Sequence, residues 1–301
     1  MSVIELLATS SALFVGTCLV FGLVVGSFLN VVVYRLPVML DRQWREQCAE
    51  FGAAPAAIEP AAHQAPFNLV VPRSTCPACK APITALQNIP IVSWLVLRGR
   101  CAHCAAPISS RYPAVEALTG ILSACVAVRF GFGWPALAAL ALTWFLLALT
   151  FIDIDHQLLP DSLTLPLMWL GLVLSLWGPQ GAAAVPVDLR SSVIGAAAGY
   201  ASLWSVYHLF RLLTGKEGMG YGDFKLFAAL GAWLGWQMLL PVILIAAVVG
   251  AVVGLALLGI RAQSRATPIA FGPFLAAAGW VVLMCGHELV TRYLSLFPSH
   301  P

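Results

Sequence analysis

Charged residues are scarce in this 301-residue chain: they make up 10% of it, whereas 60% of it is apolar. A soluble domain carries about 25% charged residues, so a single water-exposed globule is excluded because too little charge is available to cover the apolar surface. The 10% aromatic content and the long apolar runs exclude a disordered chain. The net charge of only +3 gives no support to a nucleic-acid partner. The composition therefore predicts an all-α, polytopic membrane protein.

Apolar runs near the length of a membrane span recur about eight times along the chain. No lysine or arginine precedes the first run and no Ala-x-Ala cleavage site follows it, so this run is predicted to be a membrane helix rather than a signal peptide. The sixth run is short. The predicted spans are residues 6–34, 114–128, 134–152, 162–176, 193–213, 224–236, 239–260 and 271–289.

Lysine and arginine are missing from the first 34 residues and concentrate in the segment that follows the first span. With the N-terminus outside, 13 of the 16 basic residues fall on the cytoplasmic side, as the positive-inside rule requires. We therefore expect both termini outside and the largest loop in the cytoplasm. Three segments are predicted: a first transmembrane helix (residues 1–36), a polar cytoplasmic insert (residues 37–113) and a membrane bundle (residues 114–301).

Four of the eight cysteines form two CxxC pairs within this insert, Cys76 with Cys79 and Cys101 with Cys104. Two such pairs about 15–20 residues apart are typical of a tetrahedral zinc site, since each pair brings two thiolates onto one cation. Disulfides and redox pairs are the alternatives, and the expected cytoplasmic location disfavours stable disulfides. Because four thiolates leave no open coordination position, the zinc is predicted to be structural.

Two acidic motifs are expected at the cytoplasmic ends of spans. Asp153 and Asp155 follow the third span, and Asp223 opens the sixth span after Gly220 and Gly222. Carboxylates near lipid are costly and are therefore candidate functional groups. Two facing carboxylates share a proton, and such a pair can activate water and protonate a leaving amine, as in aspartic proteases. Since Asp153 and Asp155 point to different faces of a helix, only one of them can face Asp223.

Other interpretations of these acids stay open at this point. They could be interfacial carboxylates without a chemical role, the proton relay of a transporter, or part of a non-catalytic assembly subunit. Asp161 is expected to be the N-cap of the fourth span. Glu116, at the start of the second span, could contact a substrate terminus, or it could serve only its helix, whose N-terminus favours acidic residues.

Taken in order, the motifs resemble those of the type IV prepilin peptidases, the leader peptidase/N-methyltransferases of type IV pilus and type II secretion systems. The matching segments are residues 26–37, the two CxxC pairs, and residues 152–161, 220–223 and 271–275. Five motifs in the same order over nearly the whole chain make the resemblance specific. The last of these motifs, at residues 271–275, differs from the family pattern in one place: Ala270 stands where the family often has a proline.

The resemblance implies an aspartic membrane protease of the GxGD type in a bacterial inner membrane, with Asp153 and Asp223 as the catalytic pair. It implies that prepilins and pseudopilins are cleaved after a leader-terminal glycine at the cytoplasmic face, and that S-adenosylmethionine then methylates the new N-terminal residue. Family residues linked to methylation correspond to Gly99 and Arg100, the second of which is often lysine in relatives. No glycine-rich dinucleotide-type fingerprint occurs in the chain, so the methyltransferase prediction rests on the resemblance alone.

Overall fold

The computed structural model of the protein describes residues 2–51, 66–178, 187–260 and 270–295, and these residues are mostly helical, with no strand among them. The helices are α1 (Val3–Thr9), α2 (Ser11–Glu50), α3 (Val92–Val96), α4 (Arg111–Phe130), α5 (Trp134–His156), α6 (Asp161–Ser175), α7 (Leu189–Thr214), α8 (Tyr221–Leu234), α9 (Leu239–Ile260) and α10 (Gly272–Ser295). Short 3₁₀ turns occur at Leu86–Asn88 and Trp236–Met238.

Each of the eight predicted spans coincides with a helix, which confirms the all-α polytopic class. Within the part of the chain that the structure describes, four stretches are long and apolar enough to cross a membrane: Ser11–Glu50, Arg111–Phe130, Trp134–His156 and Trp236–Ala256. Helix α8 has only 14 residues, about 21 Å at 1.5 Å per residue, which is less than the hydrocarbon thickness of about 30 Å. The number of spans remains a prediction.

The first predicted span differs from the observed helices at both ends. Helix α1 ends at Thr9, and α2 then continues without interruption through Pro37 to Glu50. Its polar end contains an ion pair of 2.9 Å between Arg45 and Asp41, one helical turn apart, of the kind that supports exposed helices. Hydropathy marked the end of the apolar surface, but the helix extends beyond it.

The described chain divides into two compact units, one formed by Met1–Val15 with Cys125–Pro301 and the other by Gly16–Ala124. In the first unit α8 is almost wholly buried and packs against α6 and α7. The backbones of Gly195 and Gly231 touch, so that a Cβ on either would collide with the other. On the opposite flank the Trp233 indole covers Gly171 and donates a hydrogen bond to the Leu167 carbonyl at 2.8 Å. These contacts fix the helix that carries Asp223.

Helix α10 packs against α5, α8 and α9 within the same unit. The Trp280 indole donates a hydrogen bond to the Thr143 hydroxyl of α5 at 3.1 Å. Gly279 lies against Leu230 of α8, where a Cβ would be 2.5 Å from a leucine methyl carbon. Helix α10 therefore touches both helices that carry the predicted catalytic acids.

The second unit contains most of α2, the described part of the insert, α3 and the first part of α4. Small residues let α2 and α4 approach closely: a Cβ on Gly22 would lie 2.5 Å from the Ser123 hydroxyl, and one on Gly120 would lie 2.6 Å from a Leu23 methyl carbon. The guanidinium of Arg35, which is buried, donates to the carbonyls of Asn68 at 2.9 Å and Pro72 at 2.6 Å. The insert is thereby attached to the end of the apolar part of α2.

Candidate functional site

Asp153 lies in the last turn of α5, which ends at His156 and is followed by Gln157 in the left-handed conformation (φ 52°). The Gln157 amide donates to the Asp153 carbonyl at 2.9 Å and closes the helix. The Asp153 side chain is buried, and its carboxylate accepts a hydrogen bond from the backbone N–H of Gly272, at the start of α10. Asp155 is exposed, so the structure selects Asp153 as the inward-facing acid of this motif.

Asp223 lies in the first turn of α8, directly after the N-cap residue Gly220 and Tyr221–Gly222. Its side chain is buried, and its carboxylate accepts a hydrogen bond from the Gly220 N–H. A carboxylate is favoured at this position because the N-terminus of a helix carries partial positive charge. A Cβ on Gly220 would meet only the Asp223 carboxylate, at 3.6 Å, so the backbone here is accessible from the side of the acid.

The two acids lie close enough for the charge of Asp153 to act on Asp223. Both belong to the first unit. Asp153 Oδ2 and Asp223 Oδ1 are buried and receive no hydrogen bond from the described residues. The structure thus brings the two predicted catalytic side chains together and leaves an acceptor oxygen free on each of them. A buried oxygen without a hydrogen bond costs free energy. Such a cost is typical of a functional site, where a substrate or water supplies the missing partner.

Leu159 fills the space beside the two acids. A Cβ on Gly222 would lie 2.6 Å from the Leu159 Cβ, and one on Gly272 would lie 3.2 Å from its Cδ1. A Cβ on Gly272 would also collide with the Asp153 carboxylate. The start of α8 and the start of α10 can therefore close around Leu159 only because both positions are glycine. The motif at residues 271–275 is visible in the sequence, but the contact of Gly272 with Asp153 is not.

Asp161 is the first residue of α6 rather than its N-cap, which is Pro160, so the predicted capping role is wrong. A proline cap has no side-chain acceptor, and the Asp161 carboxylate instead binds the Lys225 ammonium, at 2.6 and 2.7 Å. This ion pair joins the start of α6 to the start of α8, two residues beyond Asp223.

The two CxxC pairs form matching turns. The Cys76 amide donates to the Ala81 carbonyl and the Cys101 amide to the Ala106 carbonyl, both at 2.9 Å. Each turn is closed by a bridge, between Thr75 and Pro82 and between Arg100 and Pro107. Each also contains a residue with positive φ at the equivalent place: these are Lys80 (59°) and Ala105 (56°).

The four sulfur atoms of these turns lie within 4.8 Å of one another. The sulfur–sulfur distance is 3.8 Å between Cys76 and Cys104 and 4.0 Å between Cys79 and Cys101, too long for a disulfide, whose bond is about 2.05 Å. Hydrogen bonds from the backbone N–H groups of Cys79 and Ala78 lower the pKa of the Cys76 thiol to about 6, and the thiolate that they favour is the form of cysteine that binds metals. Four sulfurs at this spacing surround the volume of one tetrahedral cation.

Gly99 and Arg100 come just before the second cysteine pair. Gly99 is buried with φ 68°, and a Cβ there would lie 3.0 Å from the Trp94 ring. Arg100 is exposed, so its guanidinium is available to an anionic group. Glu116 is buried, and it accepts hydrogen bonds from the Ile91 N–H at 2.8 Å and from the Ser27 hydroxyl. Neither donor belongs to α4, so Glu116 links separate segments instead of serving only its own helix.

Two family models match the chain: the bacterial peptidase A24 N-terminal domain over residues 20–130, and the type IV leader peptidase family over residues 140–255. No solved structure matches it. The boundary between the two matches falls after α4, so the four-cysteine cluster and the two acids lie in different family domains.

Similar proteins named prepilin leader peptidase/N-methyltransferase extend the match to nearly the full length. The protein of Stutzerimonas stutzeri is 54% identical over 294 residues, which cover 98% of each chain. That of Aeromonas hydrophila is 56% identical over 277 residues, 92% of each chain. That of Pseudomonas aeruginosa is 50% identical over 294 residues, 98% of each chain. The resemblance found in the motifs is confirmed, and the chain belongs to the type IV leader peptidase family.

Proposed function

We propose that this protein removes the leader peptide from type IV prepilins and type II secretion pseudopilins, and then methylates the new N-terminal residue. The observation that carries the peptidase half is the pair of buried acids, Asp153 at the end of α5 and Asp223 at the start of α8, each with an oxygen that receives no hydrogen bond from the described residues. Family membership favours this activity over a transporter or a non-catalytic subunit. The name shared by the similar proteins supports both activities.

In the proposed mechanism one of the two carboxyl groups is ionised and the other holds a proton. The ionised group takes a proton from water as the water oxygen bonds to the scissile carbonyl carbon. The protonated group gives its proton to the amide nitrogen as the carbon–nitrogen bond breaks. The leader leaves with a new carboxyl group, the mature protein with a new amino group, and the two acids have exchanged roles.

The glycines around Asp223 fit this task. Gly220 has open space beside it apart from the Asp223 carboxylate, so an extended peptide backbone can come within hydrogen-bonding distance. Glycine, which lacks a Cβ, is the residue that permits such an approach.

Orientation follows from the distribution of basic residues. We propose an inner-membrane protein with both termini outside, and with the cysteine cluster and the acids on the cytoplasmic side. In this arrangement residues 1–36 form the first span, residues 37–113 the cytoplasmic zinc-binding domain and residues 114–301 the peptidase bundle within the lipid bilayer. A substrate whose basic leader stays in the cytoplasm and whose apolar helix lies in the membrane would present its scissile bond at that level.

We propose that Cys76, Cys79, Cys101 and Cys104 hold a structural zinc ion. The separation of their sulfurs and the matching turns support it, and the four thiolates leave no position for substrate. The ion supplies folding free energy to a small insert rather than a reactive centre.

The methyl donor is proposed to bind beside Gly99 and Arg100. The exposed guanidinium of Arg100 fits the carboxylate of S-adenosylmethionine, and the buried Gly99 holds the chain in a turn. When bound, the donor supplies an electrophilic methyl group to the new amino group. This chain's part is to hold the donor and the amine together.

A reconstituted reaction tests the proposal. We expect the purified full-length protein to cleave a synthetic peptide that spans a prepilin leader junction, and to add one methyl group when S-adenosylmethionine is present, both detected by mass spectrometry. Asp223→Asn, purified in the same way, controls for a contaminating protease. A peptide that stays intact with the parent protein would contradict the proposal.

A further inference from the structure

One carboxylate in the second unit joins three segments that are distant in sequence. Glu116 of α4 is 8% exposed and accepts hydrogen bonds from the Ile91 N–H of the insert and from the Ser27 hydroxyl of α2. A buried carboxylate is costly unless it is hydrogen-bonded, so these donors account for its presence here. Neither the proposed proteolysis nor the zinc cluster uses this group.

The N-terminal motif, residues 26–37, explains how Ser27 reaches Glu116. A Cβ on Gly26 would lie 2.7 Å from the Glu116 Cα, so only glycine allows α2 and α4 to approach this closely. One turn further along α2, the Asn30 amide donates to the Tyr112 carbonyl at 3.1 Å. The motif is therefore a docking face for the start of α4, with Glu116 at its centre.

The backbone that Glu116 contacts in the insert is strained. Ile91 has φ 61° and ψ −49°, and the Val92 amide donates to the Pro90 carbonyl at 2.5 Å. This is a γ-turn of the rare form with positive φ at its centre, and a β-branched residue is an outlier there. Such a conformation persists only where its surroundings hold it, and the Glu116 carboxylate supplies that hold.

The strained turn leads into the segment that contains Gly99. Ile91 is the N-cap of α3, whose Trp94 indole donates to the Ile108 carbonyl at 3.2 Å. The Gly99 amide donates to the Trp94 carbonyl at 2.8 Å, and the Ile108 amide donates to the Gly99 carbonyl at 2.7 Å. Arg100 follows directly. A closed set of hydrogen bonds thus connects the Ile91 turn to the residues proposed to hold the methyl donor.

We propose that Glu116 is a positioning residue for methyl transfer. By holding the Ile91 turn against α2 and α4, it fixes α3 and through Trp94 sets the conformation of Gly99 and Arg100. This inference rests on the proposed methyltransferase function and adds a residue that acts without touching the donor.

Two assays on purified full-length variants separate positioning from general support of the fold. Leader removal is measured on a prepilin peptide, and methyl transfer on a peptide that already has the mature N-terminus. For Glu116→Ala we expect methyl transfer to fall by about tenfold or more, the size expected of a misplaced binding group, with leader removal changed by less than about twofold. Glu116→Gln keeps an acceptor oxygen for the Ile91 N–H and should retain most of the methyl transfer. Glu46→Ala, an exposed glutamate of α2, is the matched control.

Hydrogen–deuterium exchange supplies a readout that is independent of activity. In Glu116→Ala the amides of Ile91 and Gly99 should exchange faster than in the parent protein, while zinc content stays the same. Ile91→Gly tolerates the positive φ without strain, so combining it with Glu116→Ala should restore part of the lost methyl transfer.

Three results would overturn the inference: unchanged exchange and methyl transfer in Glu116→Ala, an equal loss of both activities, or no recovery with Ile91→Gly. If the parent protein transfers no methyl group, the proposed methyltransferase function fails, and the exchange measurement still decides whether Glu116 holds the turn.

Discussion

Gly272 and Gly222 lie where a single methyl group would collide with a neighbour. Gly272 gives its N–H to the Asp153 carboxylate and has no room for a Cβ beside it. A Cβ on Gly222 would lie 2.6 Å from the Leu159 Cβ. Because these two residues lack a Cβ, the starts of α10 and α8 can lie close to the acids.

Gly272→Ala is expected to lower the rate of leader removal by about 10²-fold, since a displacement of about 1 Å at a reacting group costs that much. The reason is that the added methyl group would collide with the Asp153 carboxylate and displace it. Initial rates on a prepilin peptide measure the effect. Gly16→Ala is the control because a Cβ there meets no atom within 4 Å. A Gly272→Ala protein as fast as the parent would show that the site tolerates this shift.

The acids and the thiols could be identified from sequence because their chemistry is rare in an apolar chain, and because CxxC spacing reports local geometry. Helical periodicity showed only that one of Asp153 and Asp155 can face Asp223, and the family motif identified that residue as Asp153. The hydrogen bond from Gly272 to Asp153 could not be predicted, since it depends on how α10 packs against α5. The conformation of the Ile91 turn could not be predicted for a similar reason, because Glu116 of another segment holds it.

At the scale of elements, α6 and α8 are joined by two polar contacts. Deep in the unit the Trp233 indole binds the Leu167 carbonyl, and at the end near the acids Lys225 binds Asp161. Directly before Asp161, the segment from Gln157 to Pro160 carries Leu159, which lies against Gly222 and Gly272. The ion pair therefore sets where this segment enters α6.

Replacing Lys225 by Met or Asp161 by Asn should slow leader removal by about three- to tenfold, because α6 loses its attachment to the start of α8. The side chains of Lys225 and Asp161 are 29% and 56% exposed, so stability should change by only about 0–1 kcal/mol. Initial rates and thermal unfolding in detergent measure the two effects. The double variant should lose no more than either single one. Losses that multiply would mean that the two residues act separately.

The lengths of elements were harder to predict than their type. Apolar runs of membrane-span length located eight spans, but α2 continues to Glu50 because its polar end still favours a helix. Residue Pro37, which suggests a helix end in sequence, lies within α2. The thickness of the membrane limits the length of the apolar stretch. It does not limit the length of the helix, which can continue into water.

The chain combines helices that are long and apolar enough to cross a membrane with a small insert that brings four cysteine sulfurs together. Composition predicted this class directly, because 60% apolar and 10% charged residues cannot form a water-exposed globule. The close packing of α7 on α8, by contrast, depends on Gly195 meeting Gly231, and no pattern in the sequence pairs these two glycines.

We expect one zinc ion per chain in the purified protein, and its loss in Cys76→Ser or Cys101→Ser. Without the ion the insert should exchange its amide hydrogens faster, because four thiolates at this spacing repel one another. Metal analysis and exchange mass spectrometry measure both effects. Cys48→Ser, an exposed cysteine outside the cluster, should keep the zinc ion. Full zinc content in Cys76→Ser would contradict a site made by these four sulfurs.

The central claim is that Asp153 and Asp223 work as one unit on a peptide bond. Its most direct test is the initial rate of leader removal by purified Asp153→Asn, Asp223→Asn and the double variant, with Asp155→Asn as the control. The account predicts that each single variant loses about 10³-fold or more, that the double variant loses no more than either single one, and that the control matches the parent. Cleavage at the parent rate by either single variant would contradict it.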